Sequence, residues 1–536
     1  KTLQKEDDTK RILFVTHVSR SHQIGQILVA NALQTKHPQW NITMILSQSL
    51  KTLVHPHIET IGHHQTIFDV MKNGGFHNKL ASIFHEEGDY KMASVWTSYI
   101  PDIADAYMNQ LLSLPDIHYD LIITDVILQA PTIYAKHKHI PVILFNSFLS
   151  PLFSSSIFPL FQPEVSHGDI DYATFTGTLR KALFSIRTEI YMATAIKKLK
   201  RRILKNYPYI QDISNRLSHE QRDNVVLVQS FPGFIVNYQM PPNYKQIGPL
   251  TPIKKQTIED NLTLKKKMDS FCSPSKENPI VILLSFGTVV KTSSKKALYI
   301  TQRILNAIAQ VSQNIHRCSK RVKSRPTIEL IISGPFTLEQ LTLPKNAFVN
   351  INIFDWVDQI DLLQKNVTLF VTHGGASSIV ESILAQVPML VVPFFGDQHG
   401  NAASVHLHKI GKRVDIMDTV YEITYKLTEL LNDYPMFQKN LNTLQRSYLA
   451  HIDPVKHAVS IIENRLIDPT LETYQPSLDE MAFSLKRFLF LQLSSILMFI
   501  EFCFSLIDKP ISFMQQMASR LFNLFYPFAK EQPYIR

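Results

Sequence analysis

Residues 370–382 read FVTHGGASSIVES: a run of Phe, Val and Thr, then His373, Gly374 and Gly375, then small residues that open an amphipathic stretch. An aromatic and β-branched run that stops at paired glycines and resumes with helical spacing marks a strand running into a helix. The first turn of such a helix has backbone N–H groups without partners and a partial positive charge, so it suits phosphate oxygens. Glycines let a ligand approach the backbone closely, and His373 can donate a hydrogen bond to the same anion. Ser378-Ile-Val-Glu381 also fits a capping box, S-x-x-E, which would make the turn purely structural.

The same alternation recurs through both halves of the chain. RILFVTH (11–17), NITMILS (41–47), LIITD (121–125), VILFNS (142–147) and VVLVQS (225–230) form one series of strand-like runs. IVILLSFGT (280–288), TIELIISGP (327–335), FVNINIF (348–354), TLFVTH (368–373) and PMLVVP (388–393) form a second. Continuous Val, Ile and Leu between helical segments predicts parallel strands buried on both faces, hence an α/β class with two Rossmann-like domains facing a cleft. Ligands of open parallel sheets sit beyond the carboxyl ends of the strands, where His373 stands. The boundary falls where GPLTPIKKQTIEDNLTLKKK (248–267) turns polar and proline-bearing.

Length and composition agree with a multidomain globular protein: 536 residues, 45% apolar and 19% charged. The net charge of +10 is spread along the chain apart from short clusters such as 197–202 and 265–267, which read first as solvated helix faces. It is compatible with an anionic ligand or membrane surface, and no nucleic-acid partner is expected. Cys272, Cys318 and Cys503 have no spacing suited to a zinc site or a disulfide framework. The chain starts at Lys1 rather than Met, as expected of a removed segment, either a signal peptide or a cloning remnant, and sequons stand at Asn41, Asn261 and Asn366.

A longer stretch is more specific. WVDQIDLLQKNVTLFVTHGGASSIVESILAQVPMLVVPFFGDQHGNA (356–402) resembles the signature block of the UDP-glycosyltransferases, the family one glycosyltransferases of GT-B fold, in their animal-type membrane-anchored form. The matching elements are a W-x-x-Q entry, THGG, a glutamate eight residues after the histidine, Val-Pro, a second proline, and Asp-Gln followed by Asn-Ala. LLSFGT (283–288), RSHQIGQILVANAL (20–33), VQSFPGF before IGPL (228–250), and the segments at 434–466 extend the likeness.

The resemblance implies an inverting transfer of a hexosyl group from a UDP-sugar, UDP-glucose or a close relative, with no metal expected. It implies that Trp356 stacks on uracil, that Gln359 meets the base or ribose, and that Glu381 takes the ribose hydroxyls. His373, Gly375, Ser377 and the helix end would hold the diphosphate, with Ser285 and Thr288 on the opposite wall. Asp397 and Gln398 would bind sugar hydroxyls, although Asp397 could equally cap the helix after it. Two departures stand out: Asp358 replaces the family's usual proline, and Gln386 its usual glycine before Val-Pro. Ser377 stands where many members have asparagine.

Transfer to a hydroxyl needs a base, and His17 and His22 both follow the first strand. The family pattern favours His22, with Asp125 at the end of LIITD to orient its imidazole; the alternative for Asp125 is a cap for the helix after it. FNSFLSPLFSSSIFPLFQP (145–163) is dense in Phe, Leu and Pro, which suits an apolar pocket, a membrane-facing patch or ordinary core packing, and a lipophilic small-molecule or lipid acceptor is expected.

FLFLQLSSILMFIEFCFSLI (488–507) is twenty residues with one charge, the span of a bilayer, and a transmembrane helix is expected there in preference to an interfacial pair with 511–528. The expected layout is an acceptor-binding domain at 1–247, a linker at 248–276, a nucleotide-sugar domain at 277–450, helices at 451–482, the anchor at 488–507 and a tail at 508–536. An endoplasmic-reticulum membrane protein with lumenal catalytic domains follows from the resemblance. The alternatives of the same fold are a sterol or glycolipid glucosyltransferase and a membrane-tethered UDP-sugar-binding protein without turnover.

Overall fold

A computed structural model describes residues 9–73, 89–149, 197–210, 224–230, 243–250, 279–287, 295–318, 327–334, 348–365, 367–394, 397–449 and 453–467, with a few isolated positions between. Thr288, two of the sequons, most of 145–163, the linker from 251 onward and the apolar stretch 488–507 lie outside these residues. No helix among the described residues is long and apolar enough to cross a membrane.

The described strands form two parallel sheets. The first contains β1 (Arg11–Val15), β2 (Asn41–Leu46), β3 (Glu59–Gly62), β4 (Leu121–Asp125), β5 (Val142–Asn146), β6 (Val225–Val228) and β7 (Tyr244–Gln246), in the order β3-β2-β1-β4-β5-β6-β7. The second contains β8 (Ile280–Ser285), β9 (Ile328–Ser333), β10 (Val349–Phe354), β11 (Leu369–Thr372), β12 (Met389–Val391) and β13 (Gly411–Arg413), in the order β10-β9-β8-β11-β12-β13. The central strands β1, β4, β5, β8 and β11 are almost wholly buried, as their unbroken apolar runs require.

Each order reverses once, and the reversal opens a crevice. In the first sheet it lies between β1 and β4, with Val15 opposite Thr124; in the second between β8 and β11, with Ser285 opposite Thr372. A doubly wound sheet binds its ligand at this point, because the flanking connections leave on opposite faces. At and just past these four strand ends stand Thr16 to His22, Asp125, Phe286 to Gly287 and His373 to Gly375.

Two contacts knit the halves together. Phe234, from the β6–β7 connection, is 1% exposed among Val405, Ile410 and Leu441 of the second sheet's core. His408 Nε2 donates to its carbonyl at 2.8 Å. In the opposite direction, helix Pro454–Ile467 packs Ala458, Val459 and Ile462 into the first sheet's core beside helix Arg20–Lys36. Glu463 there accepts from Lys36 Nζ at 2.7 Å and pairs with His37 Nε2 at 2.6 Å.

Candidate active site

The first half of the crevice is built by the end of β1. Ser19 is the N-cap residue of helix Arg20–Lys36, so His22 lies in that helix's first turn and not in the loop ahead of it. Its Nδ1 is 2.7 Å from Asp125 Oδ2. Asp125 is fully buried and also accepts from Ser147 Oγ at 3.3 Å and from the Ile127 N–H at 3.1 Å. The carboxylate caps no helix, since the following helix, Ala130–His137, takes Gln129 as its N-cap.

With Nδ1–H committed to a carboxylate, the lone pair of the neutral His22 ring is on Nε2. Burial pulls the pKa of His22 down, but the charge and hydrogen bond of Asp125 and the charge of Asp397 outweigh it, and the value is raised above 6.5. His17 stands beside it, ring centroids 4.9 Å apart, and its Nδ1 accepts from the Ser19 N–H at 3.1 Å. A recess lined by His17, Ile100, Ile103, Ile127, Leu128 and Gln129 opens next to this ring, mostly apolar.

The second half is built around His373. A Cβ at Gly287 would stand 2.8 Å from its Cε1, and one at Gly375 2.5 Å from its Nε2. The glycines therefore make room for the imidazole as well as for any ligand, and Gly287 (φ +67°) and Gly374 (φ +84°) hold left-handed backbone that side chains disfavour. Burial lowers the pKa of His373 to about 4, so the ring is neutral at pH 7 and brings an N–H rather than a full charge.

Helix Ala376–Ala385 starts directly after Gly375, which is its N-cap and supplies no side-chain bond. Ser378 is thus the third helical residue, and the capping box read from Ser378 and Glu381 does not form. Among the described residues no side chain caps this first turn, so its backbone N–H groups stand open at the end of β11, with Ser377 exposed among them. Ser285 closes β8 nearby and is 6% exposed.

Trp356 is 54% exposed, unusual for a tryptophan, and follows β10. Gln359 opens helix Gln359–Leu363, and its Nε2 donates to Glu381 Oε2 and, at 3.2 Å, to Ser378 Oγ. Burial, opposed by this bond and reinforced by the charge of Asp358, raises Glu381 to about 7. Asp358 keeps the turn that a proline would preset: it is the N-cap residue and accepts from the Asp361 N–H at 3.1 Å.

Asp397 and Gln398 diverge. Gln398 is 3% exposed with Oε1 accepting from the Phe394 N–H at 2.8 Å, so that carbonyl is engaged in the fold. Asp397 precedes helix Gln398–Leu407 without capping it, and accepts from Asn401 Nδ2 at 2.9 Å. The same amide donates to the Gly374 carbonyl at 2.9 Å, tying the carboxylate to the glycine turn. Burial raises Asp397 to about 6, against the pull of Asn401 and of His22. His22 and Asp397 come from different sheets, and each feels the other's charge. Asn401, Ser147, Tyr107 and His63 belong to the surroundings of this site. Only Asn401 had a signal in the sequence, as part of the Asn-Ala element.

The family described as "UDP-glucoronosyl and UDP-glucosyl transferase" matches residues 102–464, more than half of the chain. UDP-glucuronosyltransferase 2B9 of Macaca fascicularis is 24% identical over 64% of this chain and 60% of its own. UDP-glucuronosyltransferase 1A1 of Mus musculus is likewise 24% identical, over 66% and 61%. The matched region thus spans less than two thirds of these relatives' length. Among solved structures, the glycotransferase of kitacinnamycin aligns over 85% of this chain and 99% of its own, with TM-score 0.57 and 18% identity. The calicheamicin glycosyltransferase CalG4 aligns over 86% and 99%, with TM-score 0.52 and 16% identity. These likenesses establish the GT-B arrangement of the two sheets. On the family match, the chain belongs to the UDP-glucuronosyl and UDP-glucosyl transferase family.

Proposed function

We propose that the protein is an inverting glycosyltransferase that moves a hexosyl group from a UDP-sugar, UDP-glucose or a close relative, to a hydroxyl of a lipophilic acceptor. The observation that carries this reading is the His22–Asp125 pair at the first sheet's switch point, facing Asp397 of the other sheet. A protein that only held the donor would have no use for a buried carboxylate that fixes one tautomer of an imidazole in the crevice.

In this reading Nε2 of His22 takes the proton of the acceptor hydroxyl as its oxygen bonds to the anomeric carbon. The bond from that carbon to the diphosphate breaks, UDP leaves with the electron pair, and the configuration inverts. Asp125 holds the ring by Nδ1 and stabilises the imidazolium that forms. The open first turn of helix Ala376–Ala385 and the His373 N–H receive the diphosphate, Trp356 the base, and Glu381 the ribose diol through charge-assisted bonds. Asp397 takes sugar hydroxyls. The Phe-, Leu- and Pro-dense stretch 145–163 favours a lipophilic acceptor.

The stretch 488–507 serves as a membrane anchor, by its length and composition, and the resemblance favours the endoplasmic reticulum with lumenal catalytic domains. UDP release, measured with a panel of UDP-sugars and lipophilic alcohols, tests the activity: turnover with a UDP-hexose supports it, and donor binding without release under every pairing overturns it. Removal of residues 481–536 is expected to free the protein from the membrane fraction with UDP binding intact.

A further inference from the structure

The loop that presents the histidines is gripped from beneath by residues outside the crevice chemistry. The carbonyl of Thr16, the first residue past β1, accepts two side-chain bonds at once: from His63 Nε2 at 2.9 Å and from the Tyr107 hydroxyl at 3.0 Å. Tyr107 is 1% exposed and His63 7%. The Val18 backbone also favours the Tyr107 oxygen electrostatically, so the phenol lies against the chain on both sides of His17. Thr16 fixes its other end on β2, with N–H and Oγ1 both donating to the Ile45 carbonyl at 3.2 and 2.8 Å. Ser47 Oγ reaches the Val18 carbonyl at 3.3 Å, and Gln23, next to His22, donates to Ser47 at 2.8 Å.

Three separate elements thus converge on residues 16–18: the end of β2, the residue after β3, and helix Asp89–Leu112. Among the described residues His63 Nδ1 has no partner, so the hydrogen bond that orients its ring is the one from Nε2 to the Thr16 carbonyl. Burial holds His63 at about 4 and keeps the Tyr107 phenol far above 10, so both stay neutral donors at working pH.

We propose that Tyr107 and His63 are positioning residues for the transfer reaction: their shared grip on the Thr16 carbonyl sets where His22 stands against Asp125. The inference rests on the reading of His22 as the base. A displaced base loses rate steeply, because transfer needs near-attack geometry. A loop held by two donors to one carbonyl should loosen in a coupled way, since losing either one already frees most of what the other restrains.

The test uses the full chain with Tyr107→Phe, His63→Leu and the double variant. Each single variant is expected to lower kcat about tenfold with the KM for the UDP-sugar unchanged, and the double variant to lose less than the product of the two. Independently of turnover, NMR titration of His22 is expected to move toward 6.5 in Tyr107→Phe, with its hydrogen-bonded Nδ1–H signal weakened. A purely structural role would lower the melting temperature but leave kcat per folded molecule and the His22 titration as in the parent. That result in both single variants overturns the proposal. If the parent protein releases no UDP with any acceptor, the functional reading fails, and the His22 titration still decides the positioning role.

Discussion

His22 Nδ1 and Asp125 Oδ2 stand 2.7 Å apart although 103 positions separate the two residues in the chain. The contact exists because β1 and β4 are hydrogen-bonded neighbours whose carboxyl ends meet where the strand order reverses. His22→Ala is expected to cut kcat by about 10²–10⁴, the usual worth of a general base, with UDP affinity nearly unchanged. Asp125→Asn should lose much of the same rate, and His17→Ala only a few-fold. Steady-state kinetics with His17 essential and His22 dispensable would assign the base to the other histidine.

The pH dependence has a definite sign. A base must be neutral to act, so kcat/KM should rise with pH through a midpoint above 6.5, and Asp125→Asn or Asp397→Asn should each shift that midpoint down. In the folded state the His22 pKa is raised, so the pair's stabilisation is fully present below the unfolded value and fades as pH rises through the folded one. Asp125→Asn should therefore destabilise more at about pH 6 than at about pH 8.5, read by denaturant midpoints.

Glu381 predicts a second titration. Its carboxyl is raised to about 7, and in the proposed reading it accepts both ribose hydroxyls in its ionised form. UDP affinity should fall as pH drops below 7, approaching about tenfold per pH unit. Asp358→Pro removes the neighbouring charge and should move this fall to lower pH, while Glu381→Gln should weaken binding and flatten the profile. Calorimetric titration with UDP across pH distinguishes these outcomes.

Gln386 replaces a glycine of the family pattern in left-handed backbone, φ +56° and ψ +36°. Strain of about 1–2 kcal/mol is expected for such a residue. Its Nε2 donates to Gln445, and Gln445 in turn donates to the Leu384 carbonyl at the helix end, which returns about 0.5–1.5 kcal/mol per bond. Gln386→Gly should thus lie close to the parent in stability, because lost strain and lost bonds nearly cancel. Gln386→Ala keeps the strain without the bonds and should cost about 1 kcal/mol in chemical denaturation.

Activity should persist in EDTA, because helix N–H groups and His373 receive the diphosphate in this reading. The chain has an Asp-x-Asp spacing, Asp169-Ile170-Asp171, outside the described residues. Loss of turnover in EDTA, restored by manganese and abolished in Asp169→Asn, would give that pair a metal role.

The buried centre of each sheet was legible because parallel strands covered on both faces must be continuously apolar. β3, β7 and β13 were not: they lie at or beside sheet edges and read ETIG, YKQ and GKR, with little apolar surface to reveal them. Asp358 and Gln386 looked like losses in the sequence, yet in the fold a side-chain bond replaces what proline or glycine would do with the backbone. The glycines after β11 were read as clearing space for phosphate, and the crowding of Gly375, and of Gly287 after β8, against the His373 ring could not be seen without the second strand. Tyr107 and His63 left no mark, since a buried donor to a distant carbonyl has no spacing rule.

The return of helix Pro454–Ile467 to the first sheet has a consequence for biogenesis. Lys36 and Glu463 meet across 427 positions, so the amino-terminal half leaves the ribosome with the docking face of helix Arg20–Lys36 still bare. At about 5–20 residues per second, its cover arrives on the order of tens of seconds later. Through that interval Ile27, Ala30 and Leu33 belong to an incomplete core, and a nascent chain stalled or truncated before Pro454 presents them to chaperones and to degradation. Synthesis through Ile467, rather than folding of either sheet alone, closes the amino-terminal domain.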